Sequence, residues 1–193
     1  MLQTLPLRDN TWVRAGGIAV FALLTAVASR VTIEIGTPVP FTLQVLTILL
    51  AGLVLGSRDG AASQLAYLGL IAINLPVDAR ALGVAAFAGP TAGFLVGFPV
   101  MAFVAGALAE RGGEKLWVRW VAGLVGVAVL YVFGATWLKV VTGMTWGATI
   151  SAAVAPFVAL DMVKAIIAAA LAEGGRAMLA RAGMTYSDTA KPR

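Results

Sequence analysis

The stretch Pro156-Phe-Val-Ala-Leu-Asp161-Met-Val-Lys164-Ala-Ile-Ile-Ala-Ala-Ala170 is apolar on nearly every side of a helix, yet it carries an acid and a base. Asp161 and Lys164 are three residues apart, so their side chains lie on one helix face. A charged residue at the centre of a membrane helix costs about 2.5–3.5 kcal/mol on insertion scales, and such residues therefore face a partner or a wet cavity. Two interpretations stay open: an ion pair that only pins helices together, or a polar pocket inside a helical bundle.

The rest of the chain has the composition of an integral membrane protein. Hydrophobic residues make up 60% of it, charged residues only 12%, and the mean hydropathy is +0.93. A membrane helix needs about 20 residues, so 193 residues hold five to seven spans and leave no room for a soluble domain. Residues 1–14 include Asp9 and lack a compact apolar core, so we expect a retained tail rather than a signal peptide.

The residue types that are missing narrow the chemistry. The sequence contains no cysteine and no histidine, which excludes disulfides, haem ligation by these residues, ordinary zinc sites and the commonest general base. The glycine-containing segment at residues 52–57 lacks the lysine of a nucleotide-phosphate loop. We therefore expect no enzyme and no cofactor, and any ATP hydrolysis must come from partner proteins.

Apolar runs and breakers predict a single all-α membrane domain of six spans. The spans are residues 12–33, 41–55, 61–74, 90–109, 120–138 and 148–172. Two prolines and a glycine make residues 34–41 a rigid loop, residues 56–60 have the composition of a turn, and Pro76 ends the third span. Residues 82–89 are an apolar, glycine-bearing connection that is able to fold back over a pocket.

The distribution of cations predicts how the chain is oriented. Six spans put both termini on one side, which holds ten cations, against three on the other side. The ten are Arg8, Arg14, Arg58, Arg111, Lys115, Arg119, Arg176, Arg181, Lys191 and Arg193; the three are Arg30, Arg80 and Lys139. The positive side is cytoplasmic, so the pocket beside Asp161 is expected about halfway down the membrane and to open outward.

A narrow stripe of small residues follows the first span. It consists of Ala15, Ala19, Ala22 and Ala26, spaced four, three and four residues apart, with Ser29 beyond them. Small residues at this spacing let two helices approach closely. The stripe serves either packing within this bundle or docking of another membrane subunit.

Four blocks of sequence, spread over nearly the whole chain, carry a family resemblance. They are residues 36–44 (GTPVPFTLQ), residues 74–77 (NLPV), residues 89–98 (GPTAGFLVGF), and Pro156-Phe157 followed by Asp161 and Lys164. In this order they resemble BioY, the biotin-capture (S) component of energy-coupling factor transporters. Any one block alone is weak evidence, whereas the four together are specific.

The resemblance implies a fold, a ligand and partners. It implies six helices, an outward-facing pocket for biotin, and an energy module made of a transmembrane coupling protein and two ATPases in a prokaryotic cytoplasmic membrane. It implies that Asn74, Asp161 and Lys164 bind biotin, and Gln44, Arg80 and Tyr67 are further candidates. The stripe Ala15, Ala19, Ala22 and Ala26 matches the family's surface for the coupling protein. Whether the chain acts alone, as a homo-oligomer or only with its energy module is left open.

The chemistry of biotin suits these residues. Its ureido ring offers two N–H donors and one carbonyl acceptor, next to an apolar thioether ring and a carboxylate tail. Asp161 is able to accept the ureido N–H groups, while Lys164 or Asn74 donates to a ligand oxygen. For the tail carboxylate we favour Arg80 over Lys164. The competing hypothesis is an ion- or proton-coupled carrier of a small organic anion, in which Asp161 and Lys164 relay protons.

Overall fold

The computed structural model describes residues 11–112 and 115–181, and the side chains to residue 175. The helices and strands are, in chain order, α1 (Thr11–Arg30), β1 (Thr32–Ile33), β2 (Phe41–Thr42), α2 (Gln44–Leu55), α3 (Ser57–Ala72), a 3₁₀ helix (Gly83–Ala88), α4 (Ala92–Gly112), α5 (Leu116–Thr142), α6 (Trp146–Ala153) and α7 (Val158–Arg181). Of the expected tail at residues 1–14, residues 1–10 lie outside the described residues, as do the cations Arg8, Lys191 and Arg193, whereas residues 11–14 already belong to α1.

The helices form one bundle with α4 at its centre. This helix packs most extensively against α5 and also contacts α2 and α3, while α1 packs on α2 and α3, and α7 on α2 and α5. Its sequence is apolar on all sides, and eleven of its 21 residues are buried, which suits a helix surrounded by others. The prediction of an all-α membrane bundle is confirmed.

The described helices differ in how far they are able to span a membrane. Three of them, α1, α4 and α5, are long and apolar enough, and the bent pair α6 and α7 makes a fourth when counted as one span. By contrast, α2 is apolar but has only 12 residues, and α3 has 16 residues with charges in its first turn. The six-span count stays a prediction.

Glycines allow close contact where α2, α3 and α4 meet. A Cβ added to Gly106 of α4 would lie 2.6 Å from the backbone nitrogen of Ser57, and one added to Gly60 of α3 would lie 2.8 Å from the Cα of Gly52. Atoms that close cannot coexist, so these three backbones pack at a distance that only glycine permits.

The predicted turn at residues 56–60 is wrong, because α3 already begins at Ser57. Gly56 alone reverses the chain, with a φ of +87° that favours glycine. The carboxylate of Glu110, at the end of α4, then accepts hydrogen bonds from the backbone N–H and the hydroxyl of Ser57, both at 2.9 Å. A carboxylate from a distant helix thus caps α3, which local sequence does not reveal. The connection that the predicted spans 90–109 and 120–138 leave between them is likewise mostly helical, since α4 extends to Gly112 and α5 begins at Leu116.

The last predicted span is interrupted rather than continuous. The chain bends by 46° between α6 and α7, at residues 154–157, where Pro156 lies. Proline has no N–H to donate and its ring clashes with the preceding helical turn, so it breaks the helix. The break places Phe157 just before the new helix and Asp161 in its first turn. Non-helical backbone at membrane depth is tolerated where protein or a cavity surrounds it.

Two irregular segments, residues 31–43 and residues 73–91, cover the end of the bundle at which α1 ends and α2 begins. They are called the first and the second outer segment. The first contains the short antiparallel pair β1 and β2, with Thr32 opposite Thr42 and Ile33 opposite Phe41. The second contains the 3₁₀ helix, in which the expected fold-back of residues 82–89 takes regular form and packs on α3 and α4. Hydrogen bonds from Ser29 and Arg30 to the backbone of residues 76–78 tie α1 to this second segment.

Candidate functional site

A cavity lies between these two segments and the helices beneath them. Its volume is about 730 Å³, including the space open at its mouth. Its polar lining includes residues from the two segments and from α2, α5 and α7, while aromatic and aliphatic side chains form much of the rest. The polar residues are Thr42, Gln44, Asp78, Arg80, Thr91, Tyr131, Asp161 and Lys164; the apolar wall includes Phe94, Phe98, Leu130 and Phe157.

The acid and the base of α7 line this cavity as a pair. Lys164 Nζ lies 2.8 Å from Asp161 Oδ1, and the two residues are 5% and 3% exposed. Lys164 also donates to the carbonyl oxygen of Thr42 at 2.8 Å and lies 4.0 Å from the centre of the Phe41 ring, which is a cation–π contact. The pair is therefore both an ion pair that ties α7 to β2 and a polar patch of the cavity wall.

Tyr131 of α5 completes the surroundings of the acid. Its hydroxyl donates to Asp161 Oδ2 at 2.7 Å, a length typical of a charge-assisted hydrogen bond. Each carboxylate oxygen thus has one donor, and since an ionised carboxylate has about four acceptor positions, Asp161 keeps capacity for further N–H groups. The donors on α5 and α7 fix the direction in which that capacity points.

Gln44 and Tyr67 form a buried hydrogen-bonded pair at another part of the wall. The Gln44 amide donates to the Tyr67 hydroxyl at 2.9 Å, and this hydroxyl donates to the carbonyl oxygen of Val77 at 3.1 Å. Gln44 lines the cavity, whereas Tyr67 is fully buried and does not. Tyr67 therefore positions Gln44 and the segment that contains Val77 from the side away from the cavity.

Arg80 lies at the cavity wall and links the two outer segments. Its Nε and Nη2 each lie 3.0 Å from a carboxylate oxygen of Glu34, and its Nη1 donates to the carbonyl oxygen of Pro38 at 3.1 Å. Hydrogen bonding from Arg80 lowers the pKa of Glu34 below its ordinary value, so this carboxylate is ionised at neutral pH. The side chains are 30% and 54% exposed, which makes this a solvent-accessible pair.

Asn74 does not reach the cavity wall. It adopts a positive φ of 65° at the end of α3, and its side-chain oxygen accepts a hydrogen bond from the backbone N–H of Val84 at 3.2 Å. Asp78 also stabilises this segment: its carboxylate accepts hydrogen bonds from the backbone N–H groups of Gly83 and Arg80 at 2.8 and 3.1 Å. Both residues hold the 3₁₀ helix in place, and Asp78 also lines the cavity.

The structure adds groups that the sequence does not single out. Tyr131, the carbonyl oxygen of Thr42 and the ring of Phe41 all contact the acid–base pair. Tyr131 has one signal in the sequence, as the single tyrosine of a long apolar helix. A backbone carbonyl 122 residues away from Lys164 has no signal of any kind.

The small-residue stripe of α1 is divided by its surroundings. Ala22 and Ala26 are 3% and 8% exposed and belong to the core of the bundle, whereas Ala15 and Ala19 are exposed. This corrects the interpretation of the stripe as one continuous docking surface. Its second half packs inside this chain, and only its first half is accessible to another protein.

The sequence is similar to a known family along most of its length. The model of the BioY family matches residues 5–181. A probable biotin transporter BioY of Pyrococcus horikoshii is 40% identical over 157 residues, which cover 81% of this chain and 91% of the relative. The biotin transporter BioY of Rhizobium etli is 42% identical over 168 residues, which cover 82% of this chain and 88% of the relative.

The fold is similar to that of a solved protein. The crystal structure of the S-component for biotin from an ECF-type ABC transporter matches with a TM-score of 0.78 and 26% sequence identity. The match covers 85% of this chain and 90% of that chain. Sequence and fold thus point to the same family.

Proposed function

This chain belongs to the BioY family, and from that premise we propose that it is the high-affinity biotin-binding membrane component of a vitamin uptake transporter. It captures biotin and hydrolyses no nucleotide itself. Partner ATPases supply the energy and act through a transmembrane coupling protein. The relatives' names and the solved S-component for biotin support this assignment, and nothing in them supports an ion-coupled carrier.

One observation carries the proposal: a buried acid–base pair lines a cavity whose wall is also formed by aromatic and aliphatic side chains. Asp161 and Lys164 are hydrogen-bonded at 2.8 Å and almost fully buried, yet both form part of the cavity wall. Removing two charges from water is costly, and hydrogen bonds from a polar ligand offset part of that cost. A ureido group, with donors and an acceptor on one small ring, complements an acid and a base side by side.

The positions of the lining residues suggest a pose for biotin. Asp161 accepts a ureido N–H, Lys164 donates to the ureido oxygen, and Gln44 contributes a further polar contact. The thioether ring packs on the apolar wall around Phe94, and the carboxylate tail reaches Arg80. Asn74 and Tyr67 contribute indirectly in this pose, by holding the outer segment and Gln44.

The proposal includes an orientation and a partner surface. Both termini face the cytoplasm of a prokaryotic cell, because the ten cations near the two termini and near the helix ends on that side outnumber the three on the opposite side. The cavity then opens outward between the two irregular segments, the first of which follows Arg30 while the second contains Arg80. The exposed half of the α1 stripe, Ala15 and Ala19, is the proposed contact for the coupling protein.

Titration of the detergent-solubilised full chain with biotin and desthiobiotin tests the proposal. We expect saturable biotin binding at neutral pH without any ion gradient. Desthiobiotin, which keeps the ureido ring and the tail, should compete for the same site. Absence of saturable biotin binding by folded protein would refute the assignment, and biotin uptake that collapses with an uncoupler but not with ATP depletion would favour the carrier instead.

A further inference from the structure

Glu34 holds Arg80 by an edge of the guanidinium, at the mouth of the cavity. Its two carboxylate oxygens bind Nε and Nη2 at 3.0 Å each, the bidentate geometry that a ligand carboxylate would also adopt. Arg80 lines the cavity, whereas Glu34 is not part of the wall. The acid therefore holds the cation from the side away from the ligand.

Glu34 and Pro38 use only part of the hydrogen-bonding capacity of Arg80. A guanidinium has five N–H groups; Glu34 takes two and the carbonyl oxygen of Pro38 takes one. Two N–H groups therefore remain without a partner among the residues that the structure describes. The contact with Pro38 anchors Arg80 to the first outer segment independently of Glu34, so loss of the acid does not by itself release the arginine.

A ligand carboxylate has two ways to use Arg80, and Glu34 opposes both. If the ligand takes the edge that Glu34 occupies, it must displace a bidentate partner. If it binds the remaining donors, it meets a cation whose charge Glu34 already balances, so the attraction of Arg80 for the ligand carboxylate is weakened. Because the pair is solvent-accessible, the penalty is small in either case.

We propose that Glu34 is a specificity-determining residue, which lowers the affinity for ligands with an anionic tail relative to those with a neutral tail. The proposal rests on the function above, with Arg80 as the group nearest the tail. In the wild-type protein, Glu34 therefore reduces the gain in affinity that Arg80 gives to a ligand with an anionic tail over one whose carboxyl group is neutral or blocked.

A comparison of biotin with biotinamide tests this role, since the two differ in the charge of the tail. In Glu34→Gln we expect two- to fivefold tighter biotin binding, the scale of an exposed ion pair, with biotinamide unchanged. In Arg80→Ala the affinity for biotin relative to biotinamide should fall. Adding Glu34→Gln to that variant should change neither affinity, because the cation for which Glu34 and the biotin carboxylate compete is gone. Ile35→Gln, a neighbouring exposed residue, is the matched control for disturbance of the loop.

The outcomes separate this inference from the proposed function. An unchanged ratio of the two affinities in both Glu34→Gln and Glu34→Ala, or an equal loss for both ligands, would show that Glu34 only shapes the loop and would overturn the inference. Wild-type protein that binds neither compound would instead overturn the proposed function, and the inference with it. A shift of the ratio that persists in the Arg80→Ala background would also refute the inference, because it would not act through Arg80.

Discussion

At the scale of single residues, the site depends on how a buried acid and base satisfy each other. Lys164 has three contacts, with Asp161, the Thr42 carbonyl and the Phe41 ring, and Asp161 has two, with Lys164 and Tyr131. These contacts come from α5, α7 and β2. A change at any of these groups is therefore expected to act on the proposed ligand site through Asp161 or Lys164.

Truncating either partner leaves the other charge buried without its counter-ion. For Asp161→Ala and for Lys164→Ala we expect biotin affinity to fall by about 2 kcal/mol, a roughly thirtyfold rise in Kd. Titration calorimetry of the purified variants measures this. Met162→Ala, which changes an exposed side chain between the two, is the matched control and should bind like wild type. Unchanged affinity in both charge variants would reject their role in binding.

Tyr131 is expected to act by orienting Asp161. Tyr131→Phe keeps the ring and removes one hydrogen bond to a charged group, so we expect about a tenfold loss of biotin affinity. In the Asp161→Ala background the same change should have almost no effect, because the oriented group is missing. Equal losses in both backgrounds would show that the hydroxyl acts independently of the carboxylate.

At the scale of elements, glycine contacts decide how closely the helices approach. Gly106→Ala would force a methyl group against the backbone of Ser57 at the start of α3, where no side chain is able to move aside. We expect a destabilisation of about 1–3 kcal/mol, seen as a lower Tm in detergent. Gly69→Ala is the control, because the space around its Cβ position is open and alanine favours helix. A Tm unchanged by Gly106→Ala would contradict the close packing.

The interrupted helix pair links an element to the site. Pro156 ends α6 and lets α7 start anew with a 46° bend, which brings Phe157 and Asp161 to the cavity wall. A continuous helix over residues 148–172 would follow a straight path past this position. The break thus helps to form the cavity wall rather than being a defect of the last span.

At the scale of the whole molecule, the burial of α1 determines which part of its small-residue stripe a partner protein is able to contact. Ala19 is exposed on α1, whereas Ala22, one turn further along, is 3% exposed inside the bundle. We expect Ala19→Leu to leave folding and biotin binding intact but to reduce co-purification with the coupling subunit, because a bulky side chain keeps two helices apart. Ala22→Leu should instead lower the Tm of the isolated chain. Normal co-purification of Ala19→Leu would count against docking at this surface.

The sequence alone determines the class of protein and the chemistry of its central pair. A chain that is 60% hydrophobic has the composition of an integral membrane protein, and an acid and a base three residues apart in a helix lie on one face. The four blocks, at residues 36–44, 74–77 and 89–98 and at Pro156-Phe157 with Asp161 and Lys164, add a family resemblance that implies the fold. Composition and helical spacing are local features, and the resemblance depends on residues in sequence order, so all of them are available without coordinates.

Only the tertiary structure decides which groups surround the pair and which surfaces remain free. The Thr42 carbonyl, the Tyr131 hydroxyl and the capping carboxylate of Glu110 act across 122, 30 and 53 residues of sequence. The same holds for the burial of Ala22 beside the exposed Ala19, and for the hold of Glu34 on Arg80. Local spacing cannot specify such contacts, because they depend on how helices distant in sequence pack, and that packing is set by the whole bundle.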